Sequence, residues 1–168
     1  MLLPADAVLG GEQAAGDGWA HLMKTFEVER LLLGAMAVGT AQRALDEAVT
    51  YAGERQQFGR PIGEFQAVAH LLADMATSVA ASRAFVFSVA DRLATGKPCA
   101  QEAAMVKLFT TEQAKQVCLS GMQVLGGYGY LAEFDMERLL RDSLLGPVGG
   151  GTSQIQRSII AKGLGFRA

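Results

Sequence analysis

Glu54-Arg55-Gln56-Gln57-Phe58-Gly59-Arg60-Pro61 separates two helix-length runs, and the fold turns on how this stretch is read. Gly59 and Pro61 both oppose continuation of a helix and Gly63 follows them, so the chain is expected to reverse here. Downstream, Phe65, Val68, Leu72, Met75, Val79, Ser82, Val86, Val89 and Leu93 recur at alternating intervals of three and four. That rhythm is the apolar stripe of a long amphipathic helix with a bundle-type seam. Upstream, Leu31, Ala35, Val38, Ala41, Leu45, Ala48 and Ala52 keep the same rhythm and end in small residues, which let neighbouring helices approach closely. Two such helices around a tight turn make an antiparallel hairpin, and each still has a face that needs partners.

Working outward, Met1 to Gly11 carries too much proline and glycine for a helix. It reads as the end of an extended segment plus a turn, and a strand here has no partner in the rest of the chain. Such a segment either pairs with something outside the sequence or is disordered. Residues 12 to 18 read as loop, and Trp19 to Phe26 as a short helix leading into the long one. Past the hairpin, Gly96 is placed for a helix C-cap, with Pro98 beyond it. A third helix is expected from Ala100 to Leu125, where Lys107, Glu112 and Lys115 interrupt any single apolar stripe and suggest packing on more than one side. Gly126-Gly127-Tyr128-Gly129-Tyr130 permits a sharp turn or close approach of backbone to a ligand. A short helix over Met136 to Leu144 follows, and Gly149-Gly150-Gly151-Thr152 opens a last helix from Ser153 to Leu164. Glycines at a helix N-terminus leave N–H groups free for phosphate or carbonyl oxygen, although such a run also serves as a plain connection. Neither Walker nor Rossmann spacing is present. The residues by themselves thus describe an all-α antiparallel bundle with two glycine-rich turns.

Composition narrows the function classes. The chain has 168 residues, half of them hydrophobic, enough for one domain with a sizeable core. A net charge of −2 and a pI near 5.7 give no electrostatic footprint for nucleic acid. Cys99 and Cys118 lack Cys-x-x-Cys spacing and His21 and His70 are isolated, so neither a disulfide framework nor a metal site is expected, and the cysteines read as small buried hydrophobes. No apolar stretch is read as long enough to span a bilayer, and no signal-peptide pattern opens the chain, so a cytoplasmic location is expected.

Four motifs carry the reading further. Glu54-Arg55-x-x-Phe58-Gly59, Gln123-x-x-Gly126-Gly127-x-Gly129-Tyr130, Arg138-x-x-Arg141-Asp142 and Gly151-Thr152-Ser153-Gln154-Ile155-Gln156-Arg157 resemble, in order and at matching separations, the C-terminal helical domain of the acyl-CoA dehydrogenases. The resemblance covers residues 20 to 168, and Pro4 to Gly10 looks like the last strand of that family's middle β-domain. It implies an antiparallel up-and-down four-helix bundle of long helices over residues 17–168, with 1–16 a remnant of the preceding β-domain. It also implies an FAD enzyme oxidising an acyl-CoA thioester to the trans-2-enoyl product, with electron-transfer flavoprotein or a similar acceptor as partner and a dimer or tetramer as assembly. Implied cofactor positions are Arg55, Gln57, Phe58, Gln66, Gln123, Gly126, Gly127, Thr152 and Gln154, with Arg55 and Phe58 facing a cofactor held mainly by a neighbouring subunit. Implied substrate positions are Arg30, Gly150 and Gly151.

In this family the catalytic base occupies one of two places. Many members carry a glutamate immediately before the Gly-Thr of the last loop, where this chain has Gly150 and therefore open space. Others carry it in a Glu-Arg pair on the long helix, which Glu29-Arg30 matches. Glu29 is the expected base. A solvated charge near a helix start is the bland alternative for Glu29, and Glu27 is the nearest rival, but two residues along a helix put it on roughly the opposite face. The family's N-terminal helical domain and most of its β-domain have no counterpart in the sequence, so the chain alone is expected to be inactive. It reads either as the C-terminal part of such an enzyme or as a non-catalytic bundle serving as an oligomerisation or companion subunit.

Overall fold

The chain reverses where the sequence predicts, in a computed structural model that describes residues 4–14 and 16–167. Two short strands, β1 (Gln56–Gln57) and β2 (Arg60–Pro61), pair antiparallel with Gln57 opposite Arg60. Phe58 and Gly59 between them have φ of 53° and 82°, the left-handed backbone of a two-residue hairpin turn. This hairpin joins α1 (Gly18–Glu54) to α2 (Gln66–Ala94), which return side by side. After Gly96 the chain enters α3 (Ala100–Leu125), a 3-10 turn over Gly126–Tyr130, α4 (Met136–Ser143) and finally α5 (Ser153–Gly163). Ser153 meets Glu112 and Gly163 abuts Gln101, so α5 runs back along α3. The order is up, down, up, down for α1, α2, α3 and α5, with α4 packed across α3 and α1.

Three details depart from the sequence reading. Trp19 to Phe26 is no separate helix but the first two turns of α1, which extends unbroken for 37 residues with no proline among them. Pro4 to Gly10 is not extended: Ala5–Ala7 forms a 3-10 turn in which the Ala7 N–H bonds the Pro4 carbonyl, 3.0 Å, as suits a segment with no strand beside it. Met1 to Leu3, part of that expected segment, lie outside the described residues. The fourth helix of the bundle is short, 11 residues.

The blurred stripe on α3 has its explanation here. α3 sits centrally and is buried on several sides, including Ala103, Ala104, Val106, Lys107, Thr110 and Thr111. Thr110 and Thr111 satisfy their hydroxyls by donating to the carbonyls of Val106 and Lys107, both 2.8 Å. Ala41, Ala44, Ala48 and Ala52 form the small-residue face of α1 against Val117, Cys118 and Leu125 of α3. Cys99 and Cys118 are free and buried, and burial pushes the Cys118 thiol up to about 11.

Close approach of α1 and α3 makes a test of packing. A Cβ on Gly34 would lie 2.6 Å from Val106 Cγ1, whereas one on Gly39 would meet nothing within 4 Å. Gly34→Ala is therefore expected to destabilise the chain by about 1–3 kcal/mol less its propensity gain, the overpacking cost, while Gly39→Ala stabilises it by up to about 1 kcal/mol. Urea unfolding of the two variants reads this directly, and a stabilising Gly34→Ala refutes the packing account.

By length and composition α2 is apolar enough to cross a membrane, which corrects the reading that no stretch is. In this fold it is amphipathic instead. Met75, Val79, Ser82, Val86 and Val89 are buried, while Asp74, Arg83, Asp91 and Arg92 are exposed. At the far end of the bundle, Trp19, the single tryptophan, stands in the first turn of α1 with 71% of its surface exposed.

Candidate functional site

The loop entering α5 is held from behind. Thr152 caps the helix, its Oγ1 accepting from the Ile155 N–H at 3.3 Å. Gly150 and Gly151 have φ of 61° and 87°, conformations glycine takes without strain. Their carbonyls turn toward the bundle: Lys107 Nζ donates to the Gly151 oxygen at 2.7 Å, and Gln156 Nε2 donates to the Gly151 and Gly150 oxygens at 2.9 and 3.2 Å. In a trans peptide the N–H lies opposite the preceding C=O, so the N–H groups of Gly151 and Thr152 point away from those side chains. The loop thus offers donors on one side at the positive end of a helix.

Lys107 is fully buried, and burial lowers its pKa while Glu112 opposes that shift and Arg30 reinforces it. Glu112 accepts from Lys115 Nζ at 2.6 Å and from Ser153 Oγ at 2.7 Å, and these bonds hold its carboxyl below the usual range. A depressed folded pKa adds stability that is complete above the unfolded value, about 4.5, and is lost as pH falls through the folded value. The thermal midpoint of Ser153→Ala is accordingly expected to decline less between neutral pH and pH 3 than that of the wild type. Parallel melting curves followed by circular dichroism test this, and identical acid slopes would contradict it.

Glu29 is half-buried on α1. Leu33, one turn further along the same face, is the residue that a side chain at position 150 would strike, so this face of α1 looks onto the glycine loop. The space expected beside Gly150 is therefore not open: the Leu33 Cδ1 methyl fills it. Glu27 looks elsewhere, its Oε2 lying 4.0 Å from Cys99 Sγ near the start of α3. Arg30 is only 5% exposed, with its guanidinium carbon 5.7 Å from the centre of the Phe26 ring and its Nε unpartnered among the described residues. Burial lowers its pKa against the opposing pull of Glu27 and Glu29. Arg30 lies beneath the site rather than on its surface. Between α1, α3 and the α4–α5 connection opens a cavity of about 430 Å³, lined in part by Leu33, Met36, Ala37, Thr111, Ala114 and Gly149.

Most of the remaining expected residues gather at the hairpin end of the bundle. Arg55 terminates α1, and its guanidinium carbon sits 5.6 Å from the centre of the Tyr128 ring. Tyr128 packs against Tyr51 and Phe134, with ring centres 6.1 and 5.4 Å away. Arg55 has no ion-pair partner among the described residues, leaving its forked donor free for an anion. Phe58 projects from the hairpin, 91% exposed, with Gln57 and Gln66 exposed nearby in the chain. Gln123, Gly126 and Gly127 are exposed where α3 ends, and Gly126 has a φ of 58° that closes the helix. The arginine fork and the aromatic rings suit a ligand bearing phosphates and planar rings, as FAD does. Gln154 is exposed in the first turn of α5, with the glycine-loop group.

The structure does not bring these groups together. From Glu29 to Arg55 along α1 is about 39 Å at 1.5 Å per residue, farther than one dinucleotide bound to one chain would bridge. The expected residues fall into two groups, one around the glycine loop beside the middle of α1 and α3 and one at the hairpin end of the bundle. Lys107, Gln156, Glu112 and Leu33 went unassigned in the sequence, although Lys107 and Glu112 had left a trace as interruptions in the α3 stripe.

Residues 16–165 match the family model described as Acyl-CoA dehydrogenase, C-terminal domain. The mitochondrial isovaleryl-CoA dehydrogenase of Oryza sativa subsp. japonica is 48% identical over 162 residues, covering 96% of this chain and 39% of that protein. The caffeyl-CoA reductase-Etf complex subunit CarC of Acetobacterium woodii is 41% identical over 144 residues, covering 86% of this chain and 38% of that protein. Among solved structures, butyryl-CoA dehydrogenase from Megasphaera elsdenii superposes with a TM-score of 0.88 at 34% identity, over 90% of this chain and 39% of that one. The chain spans about two-fifths of the length of these relatives.

Proposed function

Because the chain belongs to the acyl-CoA dehydrogenase family, matching its C-terminal helical domain over residues 16–165, we propose that it forms part of an FAD-dependent enzyme that desaturates an acyl-CoA thioester. The observation that carries this reading is the pair of half-sites. One gathers around the glycine loop beside the middle of the bundle and the other at its hairpin end; each is incomplete and each has the chemistry of one part of a flavin site. Two copies side by side would complete them, which makes a dimer or tetramer the working form.

In this reading the Glu29 carboxylate takes the proton from the carbon next to the thioester carbonyl, as a positioned base does. The chemistry that FAD supplies when bound is acceptance of the hydride from the neighbouring carbon, giving the trans-2-enoyl thioester. Gly151 and Thr152 offer N–H donors on the ligand side of the loop, and the cavity beside Leu33 and Gly149 receives the acyl group. At the hairpin end, Arg55 clamps phosphate oxygens of the partner copy's cofactor, with Phe58 and Tyr128 supplying aromatic faces. An electron-transfer flavoprotein is the natural acceptor, by likeness to the Etf-complex subunit.

Two measurements test the proposal. Anaerobic addition of straight, branched and aryl acyl-CoA thioesters to the flavin-loaded protein, with this chain in its full-length context, should bleach the flavin absorbance for at least one class. The 168-residue chain alone should sediment as a dimer or larger and retain little FAD, since most of its cofactor residues are exposed. An assembled protein that never takes up flavin nor responds to any thioester would instead be an assembly module, and the enzymatic reading would fall.

A further inference from the structure

Lys107 is 0% exposed, and its ammonium has one hydrogen-bond partner among the described residues, the carbonyl of Gly151, 44 residues away in sequence. Burying an ammonium is costly, and an unbranched apolar side chain of similar length would fill the same space in α3 without that cost. Packing alone therefore does not account for a lysine here. The loop it reaches has the opposite problem: Gly149, Gly150 and Gly151 contribute no side chains to pack and carry the largest backbone freedom of any residue type.

Two side chains converge on this loop, and they differ in what they fix. Gln156 belongs to α5, the helix that the loop enters, so it moves with the loop. Lys107 belongs to α3, against which α1 packs, so it refers the loop to the frame that carries Glu29. We propose that Lys107 is a positioning residue: by holding the Gly151 carbonyl against α3 it fixes the direction of the Thr152 N–H donor, the other half of the same peptide, relative to the Glu29 carboxylate. The trans peptide makes the two effects inseparable, since turning the carbonyl outward turns the following N–H inward. This inference rests on the reading that this donor faces the acyl-CoA or its cofactor.

Lys107→Met keeps the length and removes the donor, and Lys107→Gln keeps a shorter, neutral donor. In the 168-residue chain, nitrogen-15 relaxation should show the order parameters of Gly150 to Thr152 falling from the rigid range, about 0.85, to below about 0.6 in Lys107→Met, with Lys107→Gln between. The thermal midpoint should stay level or rise, because a buried charge has gone. In the flavin-loaded full-length enzyme, kcat should drop about tenfold or more, the factor equivalent to one lost hydrogen bond. A loop as rigid in both variants as in the wild type overturns the proposal, and so does wild-type kcat in a variant whose loop has loosened. If Lys107→Met does not fold, Lys107→Gln carries both measurements with the same outcomes. A wild-type enzyme inert toward every thioester would instead defeat the functional reading, so the two failures are distinct.

Discussion

Glu29→Gln in the flavin-loaded enzyme is expected to lower turnover by about 10²- to 10⁴-fold, the range for loss of a positioned general base. The amide keeps the shape of the side chain and its place one turn before Leu33, so substrate binding should change little. Glu27→Gln is the matched control: its carboxylate lies toward Cys99, away from the glycine loop, and its loss should leave turnover within about threefold, the scatter of a minor electrostatic change. Steady-state turnover of the two variants decides between the glutamates, and near-normal activity in Glu29→Gln removes it from the role. Moving the base to position 150 is harder than the sequence suggests. A side chain there must adopt a φ of 61° and displace Leu33, so Gly150→Glu is expected to restore activity to Glu29→Gln only when Leu33→Ala makes room.

The second large effect belongs to Arg55. Arg55→Ala should weaken FAD binding by about 1–3 kcal/mol, roughly 5- to 150-fold in dissociation constant, as one charge-assisted hydrogen-bonding group is lost. Its separation from Glu29 gives this experiment unusual leverage. If each flavin site takes Glu29 from one copy and Arg55 from another, a mixed dimer of Glu29→Gln and Arg55→Ala chains contains one doubly damaged site and one intact site. Mixing two impaired proteins under conditions that allow exchange should then recover activity that neither has alone at limiting FAD. No recovery, with exchange verified by mass spectrometry, would mean that each site is built within a single chain.

The bundle was legible because its signals are local and redundant. The three-four rhythm of α2, the Phe58-Gly59 turn and the boundaries of α3 all follow from periodicity and backbone restriction, and each predicts its element without knowledge of the others. The site was legible in a different way. Arg55, Phe58 and Glu29 came from motif resemblance, and once the long helix is read, their spacing of 26 residues or more along it already sets Glu29 far from the hairpin end. What stayed hidden was the support. Lys107 and Gln156 act on carbonyl oxygens of a distant loop, and a side-chain-to-backbone bond leaves no mark in the identity of its acceptor residue. Likewise, that Leu33 occupies the space beside Gly150 depends on how α1 meets the α5 loop, a tertiary fact with no one-dimensional signature.

The placement of Trp19 gives the molecule a built-in optical probe. It is the sole indole, it is exposed, and it sits at the start of α1 about 15 Å along the axis from Glu29 but about 54 Å from Arg55. Its fluorescence therefore reports on one pole only. A neighbouring domain or subunit that covers the Glu29 end should shift the emission to shorter wavelength, and flavin arriving there should quench it by energy transfer. Occupation of the Arg55 pole should leave the same signal almost untouched. A single unlabelled titration can thus tell which end of the bundle a ligand or partner reaches first, and a two-phase emission trace would time the filling of the two half-sites in solution.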